Sequence, residues 1–314
     1  MHAAAVTIHA PAKLNLSLAV LERRADGFHE IESLMVPVDL ADTLTVTAGG
    51  PPGIRLGVRF AGPLATPQGR LLARDVPADA TNLVVRAAAA LAAEAGIEPA
   101  LDIHLAKCIP SGAGLGGGSS DAAAVLSAAA EAWRLHWPRE RLAEIGARIG
   151  SDVPWFFAGG PAVAGGRGER ILPVAPLGSL FAVIACPPHG LSTAAVYQAC
   201  VPSRARAGEA VALAAALARG DLRAALSLVH NDLEPPARGL APEIDRLLAD
   251  LTAAGGLCPR LTGSGSACFT LTRTSVEARA IAARLAALED EGRPRWPLVA
   301  AVRVGAGTRV GAQP

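Results

Sequence analysis

Between Lys107 and Asp121 the chain reads Lys-Cys-Ile-Pro-Ser-Gly-Ala-Gly-Leu-Gly-Gly-Gly-Ser-Ser-Asp, followed at once by an alanine-rich run. Gly112, Gly114, Gly116, Gly117 and Gly118 let the main chain turn through positive φ and let a ligand approach it closely. The hydroxyls of Ser119 and Ser120 stand where a helix is expected to begin. A helix N-terminus leaves N–H groups unpaired and carries the positive end of the dipole, so an anion is favoured there. The chemistry open to this stretch is holding a phosphate.

Three further places carry side chains that can act. Lys13 and Asn15 share one face of an N-terminal strand, a pattern that on its own is that of a solvated strand face. Asp152, in Gly150-Ser151-Asp152-Val153-Pro154, precedes Trp155-Phe156-Phe157. A carboxylate against apolar walls can take a proton or orient a hydroxyl. Alternatively, Ser151 or Asp152 caps the next helix with Pro154 in its first turn. Phe28-His29 follows the turn pair Asp26-Gly27 and can stack on and hydrogen-bond a planar ligand; a core phenylalanine and a surface histidine fit as well.

Two common nucleotide loops do not match. Gly112-x-Gly114-x-x-Gly117 satisfies the dinucleotide pattern, but the strand before it carries Asp102 and His104 on one face, unlike the fully buried strand that pattern needs. A Walker loop requires Gly-Lys-Ser/Thr, and Gly118 is followed by Ser119. A second glycine and serine segment, Leu261 to Ala267, is either a tight turn or another backbone surface against a ligand. His230 to Glu234 has acidic groups without metal-ligand spacing.

These residues need elements to position them. Strict alternation from Ala12 to Val20 predicts a half-buried strand carrying Lys13, Asn15 and Ser17. Further strands are expected at Leu44 to Thr47, Ile54 to Phe60, Leu101 to Lys107, Phe181 to Cys186, Ala267 to Leu271 and Leu298 to Val304. Asn82 caps a helix running to about Ala95. The helix after the glycine loop is expected to start at Ser119 or Ser120, and another spans Arg139 to Ile149. Helices follow at Glu209 to Ala218, Asp221 to Val229, Pro242 to Ala254 and Ser275 to Leu288. Gly159 to Gly168 is the expected boundary region. The order describes an α+β protein of two lobes.

Composition narrows the classes. The chain has 314 residues and a formal net charge of +1, which argues against a nucleic-acid binder. Its five cysteines are widely spaced, with no Cys-x-x-Cys pair, so free thiols in a reducing compartment are expected. No charged leader and no membrane-length apolar run is present, and a cytoplasmic protein with no membrane partner is expected.

Taken together, Pro110-Ser111-Gly112-Ala113-Gly114-Leu115-Gly116 and the serines after it resemble the Pro-x-x-x-Gly-Leu-Gly motif of the GHMP kinase superfamily, named for galactose, homoserine, mevalonate and phosphomevalonate kinases. Leu261 to Ala267 resembles its C-terminal glycine motif. Pro11 to Leu16, Arg24 to Glu30, Gly114 to Asp121, Gly150 to Pro154 and Asn231 to Pro235 are similar to the branch that acts on cytidine-diphosphate-linked methylerythritol in the non-mevalonate isoprenoid route. The likeness covers Pro11 to about Phe269.

The resemblance implies a two-lobed fold: a ribosomal-protein-S5-like N-terminal lobe (1–165) holding the ATP loop and catalytic residues, and a ferredoxin-like C-terminal lobe (166–314). It implies Asp152 as base or orienter of the acceptor hydroxyl and Lys13 as its electrostatic support. It places Pro110 to Ser120 around the ATP phosphates, Asn82 and Lys107 at the nucleotide, and Ser119 or Ser120 on Mg²⁺. Asn15, Phe28, His29 and Tyr197 are implied on the cytidine side, with phenylalanine standing where the branch commonly has tyrosine. A monomer or weak homodimer is expected. Other kinases of the superfamily are disfavoured by Asp26 to His29 and Tyr197, and a catalytically silent sensor by retention of both Lys13 and Asp152.

Overall fold

The computed structural model describes residues 5–73 and 76–305. The alternating N-terminal segment forms two strands rather than one, β1 (Ala5–Asn15) and β2 (Ser17–Arg23). Leu16 is the break, its N–H turned to the Leu34 carbonyl. Both strands pair with β3 (His29–Ala48), which is far longer than the short run around Leu44 that alternation reveals. Its polar positions, Asp39 and Asp42 among them, and the register shift in β1 between Pro11 and Lys13 interrupt the period-two pattern.

β4 (Gly53–Phe60) runs parallel to β5 (Ala100–Lys107), and β5 pairs with the second half of β3. Between them lies α1 (Leu83–Ala95); Asn82 Oδ1 accepts the Val84 N–H at 2.9 Å, as the N-cap reading requires. The helix after the glycine loop, α2 (Gly117–Ala132), begins two or three residues earlier than expected, because Gly116 at φ 70° serves as its N-cap. Alanines along α2 let it sit deep against β1, with most of the helix buried. α3 (Arg139–Ile149) leads to a 3₁₀ turn at Pro154–Ala158, then to a hairpin of β6 (Ala162–Gly166) and β7 (Arg170–Pro173). That hairpin straddles residue 165 and pairs with β3, so the first sheet continues to Pro173.

The second lobe contains β8 (Phe181–Cys186), α4 (Thr193–Ala199), α5 (Glu209–Ala218), α6 (Leu222–Leu228), β9 (His230–Asn231), α7 (Glu234–Leu240) and α8 (Glu243–Ala253). After these come β10 (Leu257–Leu261), β11 (Cys268–Thr272), α9 (Ser275–Ala286), the small hairpin β12 (Glu289–Asp290) and β13 (Arg293–Pro294), and β14 (Leu298–Arg303). Its sheet is antiparallel in the order β10-β11-β8-β14. The molecule is α+β.

The lobes share one core. Leu14, Leu16 and Val36 from the first pack in a single cluster with Ile184, Phe269 and Leu271 from the second. A fully buried side chain of this kind stabilises by roughly 1.5–3 kcal/mol. β9 also reaches back to pair in parallel with β2, Ser17 opposite His230. This junction covers the polar face of β1. Lys13, Asn15 and Ser17 are 3%, 3% and 0% exposed, so the solvated-face alternative does not hold.

Candidate active site

A cavity of about 1230 Å³ lies along the junction, between the glycine loop, the ends of β1 and β2, and α4. Lys13, Asn15, Phe28, His29, Asn82, Lys107, Asp152 and Tyr197 all line it, as do Pro110 to Gly114 and Gly116 to Ser119. The expected residues left out of its wall are Leu115 and Ser120. Leu115 instead accepts the Lys13 N–H through its carbonyl at 3.0 Å, locking the loop to β1. Ser120 is 1% exposed, faces a small cavity of about 40 Å³ behind α2, and its Oγ has no partner.

The glycines have separate reasons. A Cβ at Gly114 would lie 2.2 Å from the Thr262 carbonyl oxygen; one at Gly117 would lie 2.9 Å from Ile109 Cγ2. One at Gly116 would come within 3.0 Å of Lys13 Cγ and 3.1 Å of Phe156. These three are glycines because protein packs against them. Gly112, at φ 64°, meets nothing within 4 Å, so there the open side faces the cavity. Beyond the loop, the first turn of α2 leaves backbone N–H groups without intrahelical acceptors.

Lys13 Nζ donates to Asn15 Oδ1. Asn15 is held in turn: its Nδ2 donates to Ser33 Oγ at 2.7 Å and its backbone N–H to Thr262 Oγ1 at 3.0 Å. Burial pulls the Lys13 ammonium below the usual lysine range, and the nearby Asp152 carboxylate works the other way. Asp152 sits beneath Gly168, where an added Cβ would be 3.4 Å from Oδ1. The 3₁₀ turn after it has no side-chain cap, so the capping alternative for Ser151 and Asp152 fails. A buried cation and a carboxylate, close enough to bias one another, face the glycine loop across one cavity. That arrangement suits proton removal from an alcohol beside a transferring anion.

At the other end, the His29 and Tyr197 rings are 5.2 Å apart at 32°. Phe28 is half exposed, and the Arg167 guanidinium lies 4.7 Å from its ring centroid. Burial pushes the Tyr197 hydroxyl up, with Asp152 adding to the effect, and burial followed by Arg23 lowers His29. This end offers a planar, partly apolar slot with polar edges.

Lys107 is not a free cation. Its ammonium is bonded to Asp42 Oδ2 and, at 2.7 Å, to Asp121 Oδ2. Burial opposes its charge, but Asp121 and Asp42 outweigh it and hold its pKa above the ordinary lysine value. Asp121 is raised by burial despite Lys107. Sequence reasoning missed Asp42, whose setting in β3 gives no local signal. Thr262 and Asn231 stood inside segments the sequence singled out, but their roles were missed: Thr262 holds the Asn15 N–H, and Asn231 Nδ2 donates to the Leu261 and Gly263 carbonyls and clamps the second glycine loop. Among the described residues there is no cluster of three or more His, Cys, Asp or Glu able to hold a metal, and no helix long and apolar enough to cross a membrane.

Comparison with known proteins follows the same lines. The GHMP kinase N-terminal domain matches residues 82–160 and the GHMP kinase C-terminal domain residues 213–290. The fold and the site therefore define an ATP-dependent small-molecule kinase of the GHMP type. The 4-diphosphocytidyl-2-C-methyl-D-erythritol kinase of Pelotomaculum thermopropionicum is 38% identical over 91% of this chain and 96% of its own. The enzyme of that name from Streptomyces avermitilis is 40% identical over 90% and 93%. A crystal structure of 4-(cytidine 5'-diphospho)-2C-methyl-D-erythritol kinase superposes with a TM-score of 0.75 at 35% identity, covering 96% of this chain and all of the other. Homoserine kinase from Cytophaga hutchinsonii shares the fold, with a TM-score of 0.71 at 19% identity over 97% and 95% of the two chains. The chain belongs to the 4-diphosphocytidyl-2-C-methyl-D-erythritol kinase family.

Proposed function

We propose that the chain transfers the γ-phosphoryl group of ATP to the 2-hydroxyl of 4-diphosphocytidyl-2-C-methyl-D-erythritol, a step of the non-mevalonate route to isoprenoid precursors. The observation that carries this is one continuous cavity with the glycine loop on one wall, Lys13 and Asp152 facing it, and the His29, Tyr197 and Phe28 slot at the far end. It is large enough for two ligands end to end, and family membership supports both.

Asp152 orients the acceptor hydroxyl and takes its proton as the oxygen attacks the γ-phosphorus and the bond to the β,γ-bridging oxygen breaks, releasing ADP. Lys13, aimed by Asn15, neutralises charge that grows on the attacking oxygen and the transferring group. The N–H groups of the glycine loop and first turn of α2 bind the phosphates. Positioning and charge neutralisation are most of what phosphoryl transfer requires.

Ser119 suits Mg²⁺, since its hydroxyl side chain lines the cavity at the helix start while Ser120 faces away. A magnesium ion keeps several waters and takes most of its other oxygens from the substrate phosphates, so one protein hydroxyl is a fitting donor set. It would supply charge neutralisation at the β- and γ-phosphates. Phe28 and Tyr197 would stack the cytosine and His29 would bond its edge. An ADP-release assay offering cytidylated methylerythritol, mevalonate and homoserine separately tests the reading. Turnover with the first alone is expected; turnover with either of the others at a comparable rate overturns it.

A further inference from the structure

Asp42 occupies an unusual place. It is fully buried in β3, and both carboxylate oxygens are engaged with the entrance of the glycine loop. Oδ1 accepts the N–H groups of Cys108 and, at 2.9 Å, Ile109, the first residues after β5. Oδ2 accepts Lys107, which also holds Asp121 in the second turn of α2. One carboxylate thus ties together three things: the long strand of the first sheet, the start of the phosphate loop, and the helix whose N-terminus ends that loop.

This network is not a detached structural brace. Lys107 and Asp121 line the cavity, and Asp121 Oδ1 is buried without a partner. Gly117 sits directly over the ammonium, an added Cβ there lying 3.3 Å from Lys107 Nζ. Any shift of the lysine is therefore felt at the first residue of α2. Ala113 to Gly116 are held by Thr262, Ala267 and Lys13, but Gly112, next to the loop's entrance, meets nothing within 4 Å, and a glycine there leaves the backbone free unless the entrance itself is anchored. Holding it in the binding conformation beforehand removes an entropy cost from nucleotide association.

We propose that Asp42 is a positioning residue for nucleotide binding: through Cys108, Ile109 and the Lys107–Asp121 bridge it presets the phosphate loop, acting on ATP affinity and not on the acceptor alcohol. The inference rests on the loop's being the ATP site. Its test is kept apart from that reading by measuring binding of a non-hydrolysable ATP analogue calorimetrically, with the wild-type protein as control. Failure of the wild type to bind would strike the ATP reading itself.

With wild-type binding in hand, Asp42→Asn keeps one acceptor oxygen but turns an amide toward the Lys107 ammonium. The expected result is at least a tenfold loss of analogue affinity and a matching rise in KM for ATP. KM for the acceptor should stay within twofold, with most of kcat recovered at saturating ATP. Asp121→Asn, which leaves the Lys107–Asp42 pair in place, is the second variant and also answers if Asp42→Asn does not fold. It should weaken the analogue by roughly three- to tenfold, again without moving the acceptor KM. Analogue affinity within twofold of wild type in the folded variants, or a rise in acceptor KM parallel to that of ATP, overturns the proposal.

Discussion

Gly114 and Thr262, from glycine segments far apart in the chain, meet so closely that a Cβ on Gly114 would stand 2.2 Å from the Thr262 carbonyl oxygen. The contact seals the first glycine loop, of the first lobe, against the second, and Ala267 N–H to the Ala113 carbonyl, at 3.1 Å, continues the seam. Thr262 then returns to β1 through its hydroxyl, which accepts the Asn15 N–H. The two lobes thus position Lys13 jointly.

Gly114→Ala should therefore be costly in a way that Gly112→Ala is not. At Gly114 a positive φ of 78° and the backbone collision act together, and about 2–5 kcal/mol of destabilisation is expected in denaturant unfolding. At Gly112 only the positive φ applies, and about 1–2 kcal/mol is expected. Equal losses at both positions would show that the lobe contact is not the reason for Gly114.

Asp152→Asn should fold with an unchanged melting temperature and bind ATP within threefold of wild type, because nothing in the fold uses its charge as a cap. Its kcat should fall by about 10²–10⁴, the usual contribution of a positioned acid or base. Steady-state kinetics beside thermal melts check both halves.

Lys13 is pulled below its reference value of 10.5 mainly by burial. A lowered pKa means that the ammonium loses its proton at a lower pH than a free lysine does. If the charged form supports transfer, kcat falls as pH rises toward that range, with the limb centred below 10.5. Lys13→Arg, slower overall, should lack this limb because guanidinium stays protonated. A pH profile of kcat for both proteins decides it.

The serines should part company. Ser120→Ala removes a buried hydroxyl that has no partner, so stability should be unchanged or up to about 1 kcal/mol higher, with normal kinetics. Ser119→Ala should raise the Mg²⁺ concentration needed for half-maximal rate by several fold. The opposite pattern would exchange their roles.

Phe28→Ala should raise KM for the cytidylated acceptor by about 5- to 150-fold, the equivalent of roughly 1–3 kcal/mol of stacking, and leave KM for ATP unmoved. Initial rates with each substrate varied in turn are sufficient.

Much of this site was legible because its chemistry is local. The glycine loop, the Asn82 cap and the limits of α3, α5 and β8 follow from short-range pattern. The polar face of β1 was not, since alternation reports two different environments without saying that the second is another lobe. The long β3 was broken up by its own aspartates, and one of them, Asp42, is the buried anchor of the loop. Its partners Cys108 and Ile109 are more than sixty residues away, beyond the reach of any periodicity. The packing reason for Gly114, Gly116 and Gly117 was not legible for the same reason: the protein atoms that an added Cβ would meet there come from Thr262, Lys13, Phe156 and Ile109, not from the loop's own pattern. The first sheet continues through the glycine-rich region because Gly165 and Gly166 belong to β6, which pairs with β3, and Gly168 lies in the turn to β7.

If the cavity of Lys13 and Asp152 is where ATP meets the cytidylated alcohol, the product carries its new phosphate on that alcohol. Phosphorus NMR of the reaction with 4-diphosphocytidyl-2-C-methyl-D-erythritol tests it most directly, run with wild type and with Asp152→Asn. The wild type should give one new phosphomonoester at the 2-hydroxyl of the methylerythritol unit, formed mole for mole with ADP, and the folded, ATP-binding variant almost none. ATP consumption without that monoester, or its formation by Asp152→Asn at the wild-type rate, would contradict it.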